Sequence, residues 1–457
     1  MTSETTRERS EYSQLVTLAL PIMAAQLAQM GMGVVDNVMA GRFSAVDLAG
    51  VALGGAFMWP AMIMMMGFLQ AVTPTIAQMH GSGKQQEIGE VVRQALWMAL
   101  IASVLIVVLL MNSRFFYELM GVDAAAIEIS VAYLQAAAWG IPGVMGYFVL
   151  RYFAEALGFT RPAMFIAVFA LLLKVPLNYI FMYGLFGLPE LGGVGCGYAT
   201  AIVMWLEFVL IALVVLSARF RHIGWQEKFS KPNLGRMLRL LRIGLPIGAT
   251  MFFEMGLFTS VTLMAGRLGA DAVASHTIAM NVGGITFMFP LAIGIAASIR
   301  IGFNVGADKL DAARLVAKIA MLATVIIGVI SIGAVVALRH SIASIYTNDS
   351  GVLELAASLM LFVAVFQLFD NCQATAIGAL RGYKDTRVPM LITLLGYWLF
   401  GFPLAAALGF GWFGEAYGVY GFWLALILAL VVVSIFALSR LYWLSRNDAF
   451  IRQLSER

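Results

Sequence analysis

Apolar runs long enough to cross a lipid bilayer as helices, about 20 residues each, recur twelve times along this 457-residue chain. They lie near 15–41, 50–78, 91–112, 127–156, 162–184, 194–217, 239–266, 276–302, 315–338, 352–380, 388–410 and 417–444. Segments such as LLLKVPLNYIFMYGLF and ALILALVVVSIFAL are continuously apolar, whereas barrel strands alternate over shorter stretches. With 61% apolar and only 12% charged residues, a chain of this length has too little polar surface to face water as a globule. The expected fold is therefore an all-α integral membrane protein of twelve transmembrane helices. The connections are short and polar, and none is large enough for a soluble domain. The polar start, MTSETTRERSEYSQ, lacks the basic region and cleavage site of a secretory signal, so the first span is expected to remain as a helix.

Lysine and arginine distribution orients the spans. The connection after the sixth carries Arg219, Arg221, Lys228, Lys231, Arg236, Arg239 and Arg242, and those after the second, fourth, eighth and tenth carry Lys84, Arg161, Lys309 and Lys384. The intervening connections hold Arg42, Arg114, Arg267 and Arg339 singly, and two of them hold no basic residue. The positive-inside rule then places both termini in the cytoplasm. It also accounts for the sequence pI of about 9.0 without a nucleic-acid partner. The basic linker reads as a solvated, lipid-facing segment.

A duplication underlies the pattern. Leu20-Pro21-Ile22 recurs as Leu245-Pro246-Ile247, and Met39-Ala40-Gly41-Arg42 as Met264-Ala265-Gly266-Arg267, both at an offset of 225. Gly81 and Lys84 find Gly306 and Lys309 at that offset, and ALGFTRPAM at 156–164 resembles ALRGYKDTRVPM at 379–390. The chain is expected to form two pseudo-symmetric six-helix bundles, 1–218 and 239–457, joined by a cytoplasmic linker at 219–238. An even number of helices per repeat keeps both bundles in the same orientation. This design suits a transporter whose halves rock about a central cavity.

Enzymatic readings find little support. HGSGK at 80–84 resembles part of a phosphate loop, but Gln78 stands where the earlier glycine is required and the segment is a short turn between spans. Zinc-ligand spacings and a GxSxG elbow are absent, and His80, His222, His276 and His340 are scattered. Cys196 and Cys372 fall in different halves, which argues against a disulfide or a metal site. Without an ATPase domain, any work must be driven by an ion gradient.

Five ionisable residues lie well inside the spans: Asp36, Lys174, Glu207, Glu254 and Asp370. An ionised side chain at such depth costs a few kcal/mol or more, so each must face a partner, a water-filled cavity or an ion. Lys174 and Glu207, at comparable depth on consecutive spans, are expected to neutralise each other as an ion pair. Arg151 and Glu155, four apart, fit a same-face pair. Adding the offset to Asp36 gives Val261, and subtracting it from Glu254 gives Gln29, so these acids are not copied across the duplication.

The proline-bearing first span with VDNVMAGRF, the stretches EMGLFTSVTLMAGRLG and FDNCQATAIGALRGYKD, and the duplicated twelve-span layout together resemble the multidrug and toxic compound extrusion (MATE) family, in particular its bacterial NorM branch. The likeness covers essentially the whole chain. It implies a multidrug efflux antiporter of the bacterial inner membrane, exporting often cationic drugs and dyes in exchange for Na+ or H+ by alternating access. It implies no cofactor, no metal beyond a monovalent coupling cation, and antibiotic resistance as the outcome; a monomer is expected. By position, Asp36 matches the family's N-lobe acid, with Asn178 and Thr200 beside it, and Glu254 and Asp370 match its C-lobe cation site. Where some relatives carry a second acid one turn beyond the asparagine of the fifth helix, this chain has Met182.

Depth agrees for Asp36 and Asn178, which stand five and six residues before Gly41 and Gly184 at the ends of parallel helices. In the second half, Asn371 and Gln367, three residues before Asp370, are expected to add the hard oxygen ligands that sodium favours. Two carboxylates close together either share a proton or hold a cation. MWPAMIMMMGF at 58–68 and FMFP at 287–290 offer polarizable surface for flat cations, with Trp59, Met62, Phe287 and Phe289 as cavity candidates. Asp36→Asn is expected to leave folding intact. The alternative function is a lipid or lipid-linked oligosaccharide flippase, for which more basic residues than Lys174 would be expected inside the spans.

Overall fold

The computed structural model describes residues 2–119, 124–223, 225, 230–412 and 414–456; Lys228 of the basic linker lies outside them. Among the described residues the regular structure is helical. In chain order the helices are α1 (Thr2–Phe43), α2 (Ala45–Leu69), α3 (Val72–Gly81), α4 (Gln85–Met111), α5 (Ser113–Leu119), α6 (Ala124–Ala138), α7 (Ile141–Ala156), α8 (Arg161–Tyr183) and α9 (Gly193–Val215). They continue as α10 (Leu234–Ala265), α11 (Ala270–Gly306), α12 (Leu310–Tyr346), α13 (Ser350–Gly382), α14 (Arg387–Thr393), α15 (Phe402–Phe410), α16 (Gly418–Ser445) and α17 (Asp448–Ser455). Among the described residues, eleven helical stretches are long and apolar enough to cross a membrane, and the bent pair α6 and α7 makes a twelfth. Their outward faces are apolar: Phe165, Leu172, Leu263 and Leu399 are 65% to 74% exposed, as lipid contact allows.

Prolines set the breaks. The α6–α7 span bends by 51° because Pro142, at the start of α7, has no N–H to donate to the carbonyl of Ala138. Pro74 acts likewise where α2 gives way to α3 at Gln70 and Ala71. In the eleventh span, Pro403 follows a π-helical segment, Leu394–Gly401, that joins α14 to α15. Pro21, Pro176, Pro246 and Pro290 remain inside continuous helices.

The duplication reappears in the backbone. The turn after α3 has Gly83 at φ 75°, and the turn after α11 has Asp308 at φ 54°, its partner at the 225 offset. Lys84 donates to the Met79 carbonyl and Lys309 to the Asn304 carbonyl, again equivalent positions. Gly158 and Lys384, within the repeated stretches 156–164 and 379–390 but one residue beyond the 225 offset, are a second pair of left-handed residues, at φ 87° and 61°. Aspartate tolerates this conformation through its short polar side chain, whereas lysine does so only under tertiary constraint.

Contacts group residues 20–248 into one compact unit, and 1–19 with 249–457 into another. The division therefore falls inside α1 and α10, beside Pro21 and Pro246, rather than at the expected linker 219–238. The first turns of α10 lie tightly on α2, where a Cβ at Gly244 would press into the Phe68 carbonyl oxygen. In the first unit α9 packs on α6, α7 and α8; in the second α13 packs on α11, α12 and α16. The α11–α13 crossing is backbone on backbone: a Cβ at Gly378 would meet Gly294 at 2.5 Å. Such small-residue contacts are how helices associate in lipid. At the C-terminus, α17 is tied down by an Arg452–Asp308 contact of 3.2 Å and by Arg314 paired with Asp448.

Candidate functional site

The interior acids form two separate polar sites, one in each unit. In the first, α1 presents Asp36, α8 presents Lys174 and Asn178, and α9 presents Thr200, all buried. Asn178 donates from Nδ2 to Asp36 Oδ1 at 2.7 Å, and Lys174 Nζ lies 3.1 Å from Asp36 Oδ2. The Thr200 hydroxyl is 3.4 Å from Oδ2, receives a bond from Lys174, and stands 2.7 Å from the Cys196 carbonyl oxygen. The expected grouping of Asp36, Asn178 and Thr200 is thus formed. Asn178 Oδ1 is buried with no hydrogen-bond partner and is the unused acceptor of the site. Tyr133 of α6 adjoins Asp36 and Thr200 closely enough for their charge and hydroxyl to act on its phenol. Met182 contributes no oxygen ligand. It is fully buried, its sulfur 3.5 Å from that of Cys196.

Lys174 departs from expectation. Its ion-pair partner is Asp36, not Glu207. Glu207 instead accepts from Gln29 Nε2 at 2.6 Å, two turns away from Thr200 along α9. The cause is the length of the lysine side chain, which reaches past its own helical level to the acid one turn away. Arg151 and Glu155 do pair, at 2.7 Å and fully buried, and Arg151 also donates to Gln26 at 2.9 Å.

In the second unit, Glu254 of α10 lies close enough to Asp370 of α13 for its charge to act on it. Gln373 donates to Glu254 Oε1 at 3.3 Å, and its own Oε1 accepts from Tyr397 at 2.5 Å. Tyr397 is carried by the π-helical segment, whose wide turn also lets Trp398 donate to the Phe253 carbonyl at 3.1 Å. Asp370 Oδ1 and Asn371 Oδ1 are buried without hydrogen-bond partners. The unfilled Asp370 Oδ1, with the Glu254 carboxylate whose charge reaches it, is suited to a monovalent cation, whereas the Asn371 amide lies beside Gly328 of α12. Gln367 does not join them as expected. Its amide is taken by Thr286 of α11, to which it donates, and by Ser331 of α12, which donates to it at 3.3 Å. Gln373 and Tyr397 went unnoticed in the sequence because a neutral polar group inside a span lacks the insertion cost that makes an acid conspicuous.

The four cavity candidates differ. Met62 is 2% exposed and packs in the core of the first unit, so it forms interior rather than cavity wall. Trp59, three residues earlier on α2, is 38% exposed. Phe287 and Phe289 on α11 are half-buried.

Known proteins match along the whole chain. A family model described as MatE matches residues 21–180 and 246–407, two stretches that begin at the repeated prolines. The multidrug resistance protein NorM of Vibrio cholerae serotype O1 is 40% identical over 445 residues, 97% of both chains. The multidrug resistance protein MdtK of Yersinia pseudotuberculosis is 41% identical over 447 residues, 97% of this chain and 98% of that one. Among solved structures, a eukaryotic MATE transporter superposes with a TM-score of 0.88 at 19% identity over 99% of both chains. A Vibrio cholerae MATE transporter in its bent form gives 0.86 at 18% identity, over 98% of this chain and 99% of that one. With both of its repeats matched by the family model and 97% of its length shared with these relatives, the chain belongs to the MATE family of multi-pass membrane transporters.

Proposed function

We propose that the protein is a multidrug efflux antiporter of the bacterial inner membrane, exporting organic, often cationic, drugs and dyes in exchange for inward-moving Na+ or H+ by alternating access. It acts as a monomer with both termini in the cytoplasm. The names of the relatives support drug export. The coupling rests on one structural observation: each unit has, at its buried acid, an oxygen acceptor that no donor among the described residues fills, Asn178 Oδ1 on the residue that bonds Asp36 and Oδ1 of Asp370 itself. A buried acceptor left without a donor costs about 1–3 kcal/mol, which a bound proton or cation would offset. The flippase alternative is weakened by the pairing of Lys174 with Asp36, which leaves that ammonium poorly placed to hold a phosphate.

The deciding experiment is flux of ethidium or tetraphenylphosphonium in proteoliposomes with sodium and proton gradients imposed separately. Accumulation against the dye gradient under one or both supports exchange, whereas equilibration alone would make the protein a passive pore.

A further inference from the structure

Three charged side chains of the first unit are unevenly shared. Lys174 pairs with Asp36 at 3.1 Å, and its charge also acts on Glu207. Along α8, Lys174 is one turn from Asn178, which bonds Asp36; along α9, Glu207 is two turns from Thr200, which also reaches Asp36. At 1.5 Å per residue the backbone of Lys174 lies about 6 Å below the Asp36 level and that of Glu207 about 10 Å below it. The lysine therefore sits between the two acids on a flexible four-carbon stem, and its ammonium is turned to the farther level only by its present partners. The other groups around Glu207 are fixed. Gln29 of α1 holds one oxygen at 2.6 Å, and Arg151 of α7, whose charge acts on Glu207 ahead of that of Lys174, is held in place by Glu155 and Gln26. Tyr147 of α7 completes the layer.

We propose that Lys174 is a movable counter-ion shared by two carboxyl groups: it stays with Asp36 while that acid is ionised, and crosses to Glu207 when a proton occupies Asp36. The proposal rests on Asp36 being a coupling acid, as set out above, and adds Glu207 as a second proton-exchanging group. One ammonium can neutralise one carboxylate at a time, and a buried charge without a partner is strongly disfavoured. The proton balance closes. A proton binds the Asp36 carboxylate, Lys174 leaves it, and the Glu207 carboxyl releases a proton as it receives the ammonium. The three groups total zero charge before and after. In the proposed orientation Glu207 is nearer the cytoplasm, and the buried side chains of Tyr147, Arg151 and Glu155, with the half-buried Gln26, continue that way.

The test is a thermal-stability cycle on the purified full-length protein, crossing Lys174→Gln with Glu207→Gln in the parent and again in Asp36→Asn. In the parent the two losses should add, because Lys174 is at Asp36. In Asp36→Asn the lysine should be at Glu207, so the second substitution should recover most of the midpoint lost to the first. Additivity in both backgrounds, or equal coupling in both, overturns the proposal. For variants too unstable for the cycle, infrared difference spectra supply the second measurement. The parent minus Glu207→Gln should show a protonated carboxyl, and the same difference in the Asp36→Asn background should show a carboxylate. An identical band in both backgrounds refutes the crossing. Efflux by Asp36→Asn is scored separately: wild-type transport by that variant would remove Asp36 from coupling, whatever the spectra of Glu207.

Discussion

Tyr397 donates its hydroxyl to Gln373 at 2.5 Å, and Gln373 in turn donates to Glu254 at 3.3 Å, so a phenol on a π-helical turn orients an acid on another helix. Removing the phenol frees the amide to rotate. Tyr397→Phe is expected to weaken sodium binding about fivefold, the equivalent of one net hydrogen bond of about 1 kcal/mol. Isotope binding to purified protein measures it; unchanged affinity would mean that the amide needs no such support.

Glu254→Gln and Asp370→Asn should each abolish sodium-driven efflux while leaving the protein inserted, since each removes an intramembrane charge whose insertion is costly. Calorimetric sodium titration provides the check. Parental heats in both variants would place the cation elsewhere.

Asp36→Asn should eliminate or severely reduce drug efflux at matched expression. The sequence suggested that folding would be untouched, but the 3.1 Å contact with Lys174 changes that expectation. The variant loses the Lys174 pair, and the ammonium must cross to Glu207, so its melting temperature should fall, and adding Glu207→Gln to Asp36→Asn should lower it further by leaving the ammonium without a carboxylate.

Arg151→Met leaves the Glu155 carboxylate buried without its partner and should destabilise the first unit by about 3–5 kcal/mol. Adding Glu155→Gln should regain much of the loss. If the double variant melts no higher than the single one, the pair is not what holds the local structure.

Gly378→Ala sets a methyl group 2.5 Å from the Gly294 backbone, where no flexible side chain can yield. The α11–α13 crossing would have to open, at about 1–3 kcal/mol or more. Detergent melting curves that match the parent would contradict so tight a crossing.

The spans were legible because an apolar run of the right length has few other uses, and even the bent one was found as 127–156. Asp36, Glu254 and Asp370 stood out for the same reason in reverse, as charges where charge is costly. Lys174 was harder to read. Spacing fixes the depth of its backbone, but a lysine stem reaches a turn in either direction, and only coordinates say which acid it meets. The unit boundary was placed at the basic linker because charge changes there, whereas packing changes at Pro21 and Pro246, positions the repeat had marked without revealing their meaning. Gln367 was assigned by helical phase alone, which does not report the competing hydroxyls of Thr286 and Ser331.

The paired left-handed turns at Gly83 and Asp308, and at Gly158 and Lys384, bear on how such a chain diverged after its halves were copied. Bends and helix ends were retained so closely that a lysine still occupies a backbone state suited to glycine. The interior meanwhile drifted apart: Asp36 faces Val261 across the duplication, and Glu254 faces Gln29, which now serves Glu207. A chimera made of two first halves would inherit every turn yet lack Glu254, Asp370 and the tyrosine that steadies them.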